Sequence, residues 1–280
     1  ELMDKYKDYR QSRQDWEESY REGLNLLGFK YITRTEPFRG ASSVTHPVLA
    51  EAVTQFQAQA YKELLPADGP VRTQIMGDAS VAKEEQSKRV KDFMNYQIMD
   101  QMKEYEPEFD QMLFYLPLSG STFKKVYYDD LLGRAVSKFI PADDLVVPYS
   151  ATSLEDAEAV IHVLRISQND LRKQQINGFY KDIDLGEPPL QEDQLKQKEL
   201  ELEGIRQTGQ EDMYTILEMH INVDLEGHED VNPEDGEPTG VKLPYIVTID
   251  EANGKVLSIR RNYTEGDPLK RKQDYFVHFK

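Results

Sequence analysis

The chain has 280 residues, of which 39% are hydrophobic, and its formal net charge is −17. It contains no cysteine, which excludes disulfides, thiolate metal sites and cysteine catalysis. Residues 181–240 hold 18 acidic and 4 basic side chains, so one segment carries most of the negative charge, and the composition does not favour a basic nucleic-acid-binding protein.

Helical periodicity dominates the first part of the chain. The first predicted helix covers residues 2–27 and stops at Gly28. A predicted loop at 31–46 leads to a second helix, which starts at Pro47 and runs to about residue 65. The predicted core-facing stripes are Tyr9, Trp16, Tyr20, Leu24 and Leu27 on the first helix, and Leu49, Val53, Phe56, Ala60 and Leu64 on the second.

Two further helices are predicted before residue 121. The third starts near Ser80, with Glu84 in its first turn. Pro107 ends the third helix and opens the fourth, which Pro117 and Gly120 end in turn. Their predicted apolar stripes are Val90, Phe93, Met94, Ile98 and Met102, followed by Phe109, Met112, Leu113 and Leu116.

From Ser121 onward the pattern changes to strands. The predicted strands, rich in β-branched and aromatic residues, are 122–128, 134–140, 157–166 and 213–223. A short helix is predicted after Ser167, and another helix is predicted at 190–205, within the polar stretch 181–211. A hairpin is predicted from 244–250 and 255–262, because Asn253-Gly254 is the pair favoured in a tight turn with two positive φ values.

These elements predict an α+β fold. A helical part at 1–120 precedes a mainly antiparallel β part at 121–280, into which the acidic segment 181–240 is inserted.

The sequence offers little catalytic chemistry. Residues 120–125 (GSTFKK) have the residue types of a phosphate-binding loop but lack its first glycine, so they are interpreted as a helix-to-strand turn. There is no nucleophile elbow and no plausible Ser/His/Asp set. We therefore expect a protein that is not an enzyme, with no catalytic, cofactor-binding or metal-ligating residue assigned.

One group of residues could bind a divalent metal ion. His220 and His228 bracket Asp224, Glu226 and Asp230, and imidazole and carboxylate are common metal ligands. The favoured interpretation is a strand that runs into a solvated acidic loop. A calcium loop starting at Asp230 is rejected, because its glycine comes one place too late and Val241 stands where a glutamate is needed.

Two smaller motifs have structural interpretations. Asp143 and Asp144 are adjacent, so in a strand their carboxylates would point to opposite faces, and a turn or edge role is favoured over acid–base chemistry. Asn262-Tyr263-Thr264 matches a glycosylation sequon and is interpreted as a chance match.

Four ordered segments resemble the large portal proteins of short-tailed bacteriophages. The first is FRGASS at 38–43, continuing as HPVL at 46–49, and the second is PEFDQM at 107–112, running through LSGSTFKKV at 118–126. The third is IPADDLVVP at 140–148, and the fourth is the strand and helix at 162–171. The resemblance extends over most of the chain, and 181–240 is its least specific part.

The resemblance implies a structural subunit of the phage head-to-tail portal ring, a homo-oligomer that is typically a dodecamer. Such a ring lies in the virion at one capsid vertex, after assembly in the host cytoplasm, and is the conduit for genome packaging and ejection. Its implied partners are the terminase, tail and head-completion proteins, the major capsid and scaffolding proteins, and double-stranded DNA that passes without sequence specificity. The ATPase belongs to the terminase, and neither a cofactor nor a membrane is implied.

The chain stops at Lys280 inside an apparent strand, and no segment resembles the stem or clip of a portal. We therefore expect an N-terminal wing-region fragment, with its helical part at 1–120 and its mainly β part at 121–280. Two alternatives stay open: a metal-dependent hydrolase using the cluster from His220 to Asp230, and another phage scaffold or adaptor protein.

Overall fold

The computed structural model describes residues 1–28, 38, 46–129, 132–188, 213–227, 229–231 and 237–280. These residues form α-helices and two antiparallel sheets, which confirms the predicted α+β class. Most of the predicted loop at 31–46 and the whole predicted helix at 190–205 lie outside the described residues.

The helices and strands are labelled in chain order. The helices are α1 (Leu2–Ser12), α2 (Gln14–Leu27), α3 (Val48–Leu64), α4 (Val81–Tyr96), α5 (Tyr105–Ser119) and α6 (Gln168–Ile176), and a π-helical turn (Gln97–Gln101) prolongs α4. The strands are β1 (Thr122–Asp129), β2 (Arg134–Ile140), β3 (Leu145–Val146), β4 (Ala159–Ser167), β5 (Met213–Val223), β6 (Leu243–Asp250), β7 (Val256–Arg261) and β8 (Phe276–Phe279).

The chain forms two compact units. Unit 1 combines 1–24 with 143–274, and unit 2 combines 25–142 with 275–280. The units therefore do not follow the expected division after residue 120. Strands β1, β2 and β8 belong with α3–α5 in unit 2, because α5 packs against this sheet through contacts with Phe139 and Phe279.

Unit 1 is built on a five-stranded antiparallel sheet in the order β3-β4-β5-β6-β7. The odd-numbered residues of β4, β5 and β6 share one face, and Tyr6 of α1 packs against them together with Leu2 and Met3. Tyr9 of α1 also donates a hydrogen bond from its hydroxyl to Glu158, over 3.1 Å.

The opposite face of this sheet is covered as well. Leu171 of α6, Tyr180 and Leu185 pack against Ile216 of β5 and Leu257 of β7. Because both faces are buried, β6 is buried along its whole length instead of alternating between buried and exposed residues.

Unit 2 combines a three-stranded antiparallel sheet, in the order β2-β1-β8, with α3, α4 and α5. Helix α5 supplies the centre of its core. Phe109, Met112 and Leu113 are buried there, and Leu65 and Ala60 pack against them from the α3 segment. The predicted stripe of the fourth helix therefore faces the core.

Local signals placed most helix ends correctly. Ser80 and Ser167 are the N-caps of α4 and α6, and each side chain accepts a backbone N–H of the first turn. Gly120, at φ +73°, ends α5 in the left-handed conformation. Pro117, however, lies inside α5, so the prediction that this proline ends the helix was wrong.

The first predicted helix is two helices, because the chain breaks at Arg13. The backbone there has φ −104° and ψ 11°, and the side chain is buried. Arg13 donates hydrogen bonds to the carbonyl oxygens of Asp143 (2.6 Å) and Leu145 (3.1 Å). The helix thus breaks at a residue that makes tertiary contacts, and such contacts cannot be predicted from helical periodicity.

The predicted stripe of α3 faces the core only in part, and that of α4 does not face it. On α3, Val53 is buried, but 41% of the surface of Phe56 and more than half of that of Leu64 are exposed. On α4, Val90, Phe93 and Met94 are exposed, and no residue of the helix is buried. Phe56 and Leu64 were assigned wrongly because α3 packs on α5 through the side that carries Val53.

Phe56→Ala is therefore expected to lower the free energy of unfolding by only about 1 kcal/mol, and not by the ~3–5 kcal/mol of a buried phenylalanine. Val53→Ala, on the same helix, removes less volume but from a buried site, and is expected to cost about 2 kcal/mol. Urea denaturation of both variants measures the two values. A larger loss for Phe56→Ala than for Val53→Ala would contradict this helix orientation.

The predicted hairpin forms with a longer turn. Five residues, 251–255, connect β6 to β7, and the Gly254 N–H donates to the Asp250 carbonyl at 2.9 Å. Gly254 has φ +66°, but Asn253 does not have a positive φ, so the two-residue turn was predicted wrongly. The Asn253 side chain instead donates to the Leu185 carbonyl (2.8 Å), a contact outside the hairpin.

No helix in the described part of the chain has the length and apolar character needed to cross a membrane.

Candidate functional site

A buried lysine lies inside unit 2. Lys124 is on β1, and only 3% of its surface is exposed. Its Nζ lies 4.0 Å from the ring centroid of Tyr105 and 5.0 Å from that of Phe109, both on α5. Among the described residues no acceptor forms a hydrogen bond with this ammonium group. The faces of two aromatic rings therefore take the place of hydrogen-bonding partners.

Two glutamates of the α5 region lie near this lysine. Glu104, the N-cap residue of α5, accepts a hydrogen bond from Arg134 Nη1 at 2.7 Å. Glu108 accepts the backbone N–H of Phe139 at 2.5 Å. Both carboxylates favour the charged form of Lys124, and together these contacts connect α5 to β1 and β2.

Burial sets the protonation properties of this cluster. It lowers the pKa of Lys124 to about 8, although Glu108 and Glu104 oppose the shift. Burial also raises the pKa of Glu108, and the hydrogen bond from Phe139 opposes that change. The hydrogen bond from Arg134 lowers the pKa of Glu104.

A lysine with a pKa of about 8 has a larger neutral fraction near pH 7 than an ordinary lysine, and a neutral amine is a nucleophile. Here the amine is enclosed between rings, so its evident contribution is to join α5 to the sheet. The sequence did not indicate this buried lysine, because Lys124 and Lys125 are adjacent. Strand alternation turns one of them inward, and nothing in the composition of β1 shows which.

The predicted metal cluster is only partly within the described residues. His220 is buried in β5, and its Nε2 lies 2.7 Å from Glu218 Oε1 on the same strand. Asp224 and Glu226 are exposed beyond the end of β5, and His228 lies outside the described residues. The described residues contain no group of three ligands able to hold a metal ion.

Asp230, the last member of that cluster, has other partners. It forms an ion pair with Lys270 and accepts a hydrogen bond from Thr239 Oγ1 at 2.8 Å. The hydrogen bond from Lys270 is the main reason that the pKa of Asp230 is lowered. The carboxylate therefore joins two stretches of chain on the surface of unit 1.

The aspartate pair lies in a turn directly before β3, as predicted. Both residues are buried, which the sequence did not indicate. Asp144 accepts a hydrogen bond from Arg165 Nη1 at 2.6 Å, and the Asp143 carbonyl accepts one from Arg13. Two arginines from distant parts of the chain thus fix this turn in unit 1.

Compared with models of known protein families and with curated proteins, the chain matches none. The resemblance to portal proteins therefore rests on the four sequence segments themselves. The second lies at the junction of α5 with β1, the third contains the turn before β3, and the fourth lies at the junction of β4 with α6. Of the first segment, only Phe38 and residues 46–49 are described.

The residues at 120–125 form a helix-to-strand turn, as predicted. Gly120 ends α5, and β1 begins two residues later. The Ser121 hydroxyl lies 3.1 Å from His278 Nε2 on β8, the strand that pairs with β1. The residues of this turn therefore make contacts within unit 2.

The Asn262 side chain of the sequon is fully buried. Its Nδ2 donates to the Gln273 carbonyl at 3.3 Å, and its backbone N–H donates to the Pro244 carbonyl at 2.9 Å. A bulky sugar cannot be attached at this position without opening the fold, which supports the interpretation of the motif as a chance match.

A polar cleft of about 530 Å³ in unit 1 was not suggested by the sequence. Lys7, Arg10 and Arg21 line it, and the carboxylates of Glu17 and Glu251 offset their charge. Its opposite charges are partly paired, since Arg10 lies 3.8 Å from Glu17. The cleft therefore has mixed charge.

Proposed function

We propose that this chain is a structural subunit of the portal ring of a short-tailed bacteriophage. The observation that carries the proposal is the occurrence, in order, of four segments that resemble such portals, from 38–49 to 162–171. In such a ring, identical copies would surround the channel through which the genome enters and leaves the capsid.

The positions of the segments support a structural role. The segment at 107–126 contains Glu108, Phe109 and Lys124, which join α5 to the sheet of unit 2. The segment at 140–148 contains the turn held by Arg13 and Arg165. In both, the residues that resemble portals are the ones that hold elements of one unit together.

The chemistry of the described residues also fits a protein that works without turnover. The groups with shifted pKa values at the centre of unit 2, Lys124 and Glu108, are engaged in packing and hydrogen bonds. In the proposed assembly the terminase would hydrolyse ATP, so the ring subunit needs no nucleotide loop of its own. Its partners would be the terminase, the tail and head-completion proteins, and the capsid and scaffolding proteins.

The net charge suits a conduit for DNA. A channel must let phosphates slide, and a chain with a charge of −17 offers few sites where clustered cations would hold them. The alternative, a metal-dependent hydrolase, would need ligands from His220 to Asp230. In the described residues, however, His220 is paired with Glu218 and Asp230 with Lys270.

Electron microscopy of the purified protein tests the proposal. Closed rings of identical subunits around a central opening are the expected result. Particles of single chains, or open filaments without closed rings, would count against a portal and leave the adaptor and hydrolase alternatives.

A further inference from the structure

Large apolar side chains on two helices of unit 2 are exposed to solvent. On α4, Val90, Phe93 and Met94 are exposed, and the exposed fraction of Phe93 is 58%. On α3, Phe56 and Leu64 are exposed. Single apolar side chains are common on protein surfaces, but apolar stripes along amphipathic helices mark surfaces that another protein covers.

In the described part of unit 2, no residue of α4 is buried. This helix is held to the preceding segment by polar contacts, in which the Asn95 side chain bonds both the N–H (2.9 Å) and the carbonyl (3.2 Å) of Val71. Ser87 Oγ likewise donates to Thr73 Oγ1 at 2.8 Å. Helices gain most of their stability by burying an apolar face, so the opposite side of α4 is the side that needs a partner.

The two exposed faces carry opposite charges. Arg89 lies four residues before Phe93, and therefore on the same face of α4. Glu63 lies seven residues after Phe56, two turns along the same face of α3. Both charged side chains are exposed. One face thus combines apolar residues with a cation and the other combines them with an anion.

We propose that the exposed face of α4 in one copy packs against the exposed face of α3 in the next copy. This inference rests on the proposed ring of identical subunits, and it names the surface that joins them. Because the two faces differ, the contact is head-to-tail, and such contacts close into rings when the rotation between copies allows it. A second copy is the partner that the charges favour, since Arg89 would meet Glu63 across the contact.

Charge reversal tests the contact through the mass of the assembled protein. Arg89→Glu and Glu63→Arg are each expected to weaken self-association about tenfold in sedimentation velocity measurements, and the double variant is expected to restore it. Lys88→Glu is the matched control, because Lys88 is next to Arg89 but on another side of α4, and it should leave association unchanged.

The outcomes separate this inference from the proposed function. A ring that forms equally well in both single variants would overturn the contact between α3 and α4 and leave the portal proposal standing. A wild-type protein that stays monomeric at the highest concentration reached would overturn both. If either single reversal weakens association and the double variant does not restore it, then the α3 and α4 faces do not contact each other, and the pairing proposed here is wrong.

Cysteine cross-linking gives an independent measurement, because the chain has no native cysteine. Phe56→Cys and Phe93→Cys are made in separate chains and oxidised alone or mixed. A head-to-tail contact is expected to give cross-linked dimers mainly in the mixture. Equal cross-linking of either variant by itself would contradict the pairing of unlike faces.

Discussion

Leu217→Ala is expected to lower the free energy of unfolding by about 2–5 kcal/mol. Leu217 is fully buried on β5, the central strand of the five-stranded sheet, and pairs with Val163 on one side and Ile249 on the other. Truncation leaves a cavity in the layer between this sheet and α1, where the surrounding strands cannot easily collapse.

Leu269→Ala is the matched control for this experiment. Leu269 belongs to the same unit but 75% of its surface is exposed, so the same substitution is expected to change stability by less than about 0.5 kcal/mol. Chemical denaturation of both variants measures the difference. Equal losses would show that β5 is not at the centre of the unit 1 core.

Lys124→Met is expected to change the pH dependence of stability. The folded-state pKa of Lys124, about 8, lies below its ordinary value of 10.5. Between these two pH values the unfolded chain binds the proton more readily, so the contribution of Lys124 to the free energy of unfolding rises with pH and is lost as the pH falls through 8. Across the whole of this pH range, the contribution of Lys124 to the free energy of unfolding changes by about 3 kcal/mol.

We therefore expect the difference in free energy of unfolding between Lys124→Met and the wild type to depend on pH. Lys124→Met gains stability relative to wild type at pH 7, and this advantage shrinks as the pH approaches 10. Using the difference removes the contributions of tyrosines such as Tyr6 and Tyr180, whose pKa values are raised to about 12. Lys125→Met controls for the loss of one positive charge from β1. A difference that is constant from pH 7 to 10 would contradict the burial of the ammonium group.

Much of the fold could be predicted from local signals. The β5 strand was predicted with its observed ends, because β-branched and apolar residues fill 213–223 between polar stretches. Ser80 and Ser167 could be recognised as N-caps because capping depends on the residues directly beside them. The fold class followed from the change of period after Ser121.

The predictions were wrong where contacts with a distant part of the chain determine which residue is buried or where a helix ends. Val53 and Phe56 are both apolar residues of α3, and only the position of α5 determines which one is buried. Arg13 breaks a periodic helix while its side chain bonds the carbonyls of Asp143 and Leu145, far along the chain. Such contacts leave no local sign in a single sequence, because periodicity describes one element at a time.

The candidate site was the hardest part to predict. Lys124 and Lys125 have the same chemistry, and their separation into a buried and a half-buried side chain depends on where α5 packs. His220 stood out by its residue type, yet Glu218, two residues away on the same strand face, is the partner that the structure gives it. The sequence showed which residues had reactive side chains but not what they contact.

In the proposed assembly, identical copies of this protein close into a ring. Native mass spectrometry of the assembled protein measures the number of copies directly. One closed species, at the same whole-number multiple of the subunit mass over a range of protein concentrations, is the expected result. A series of multiples that lengthens with concentration, or the single subunit alone, would contradict it.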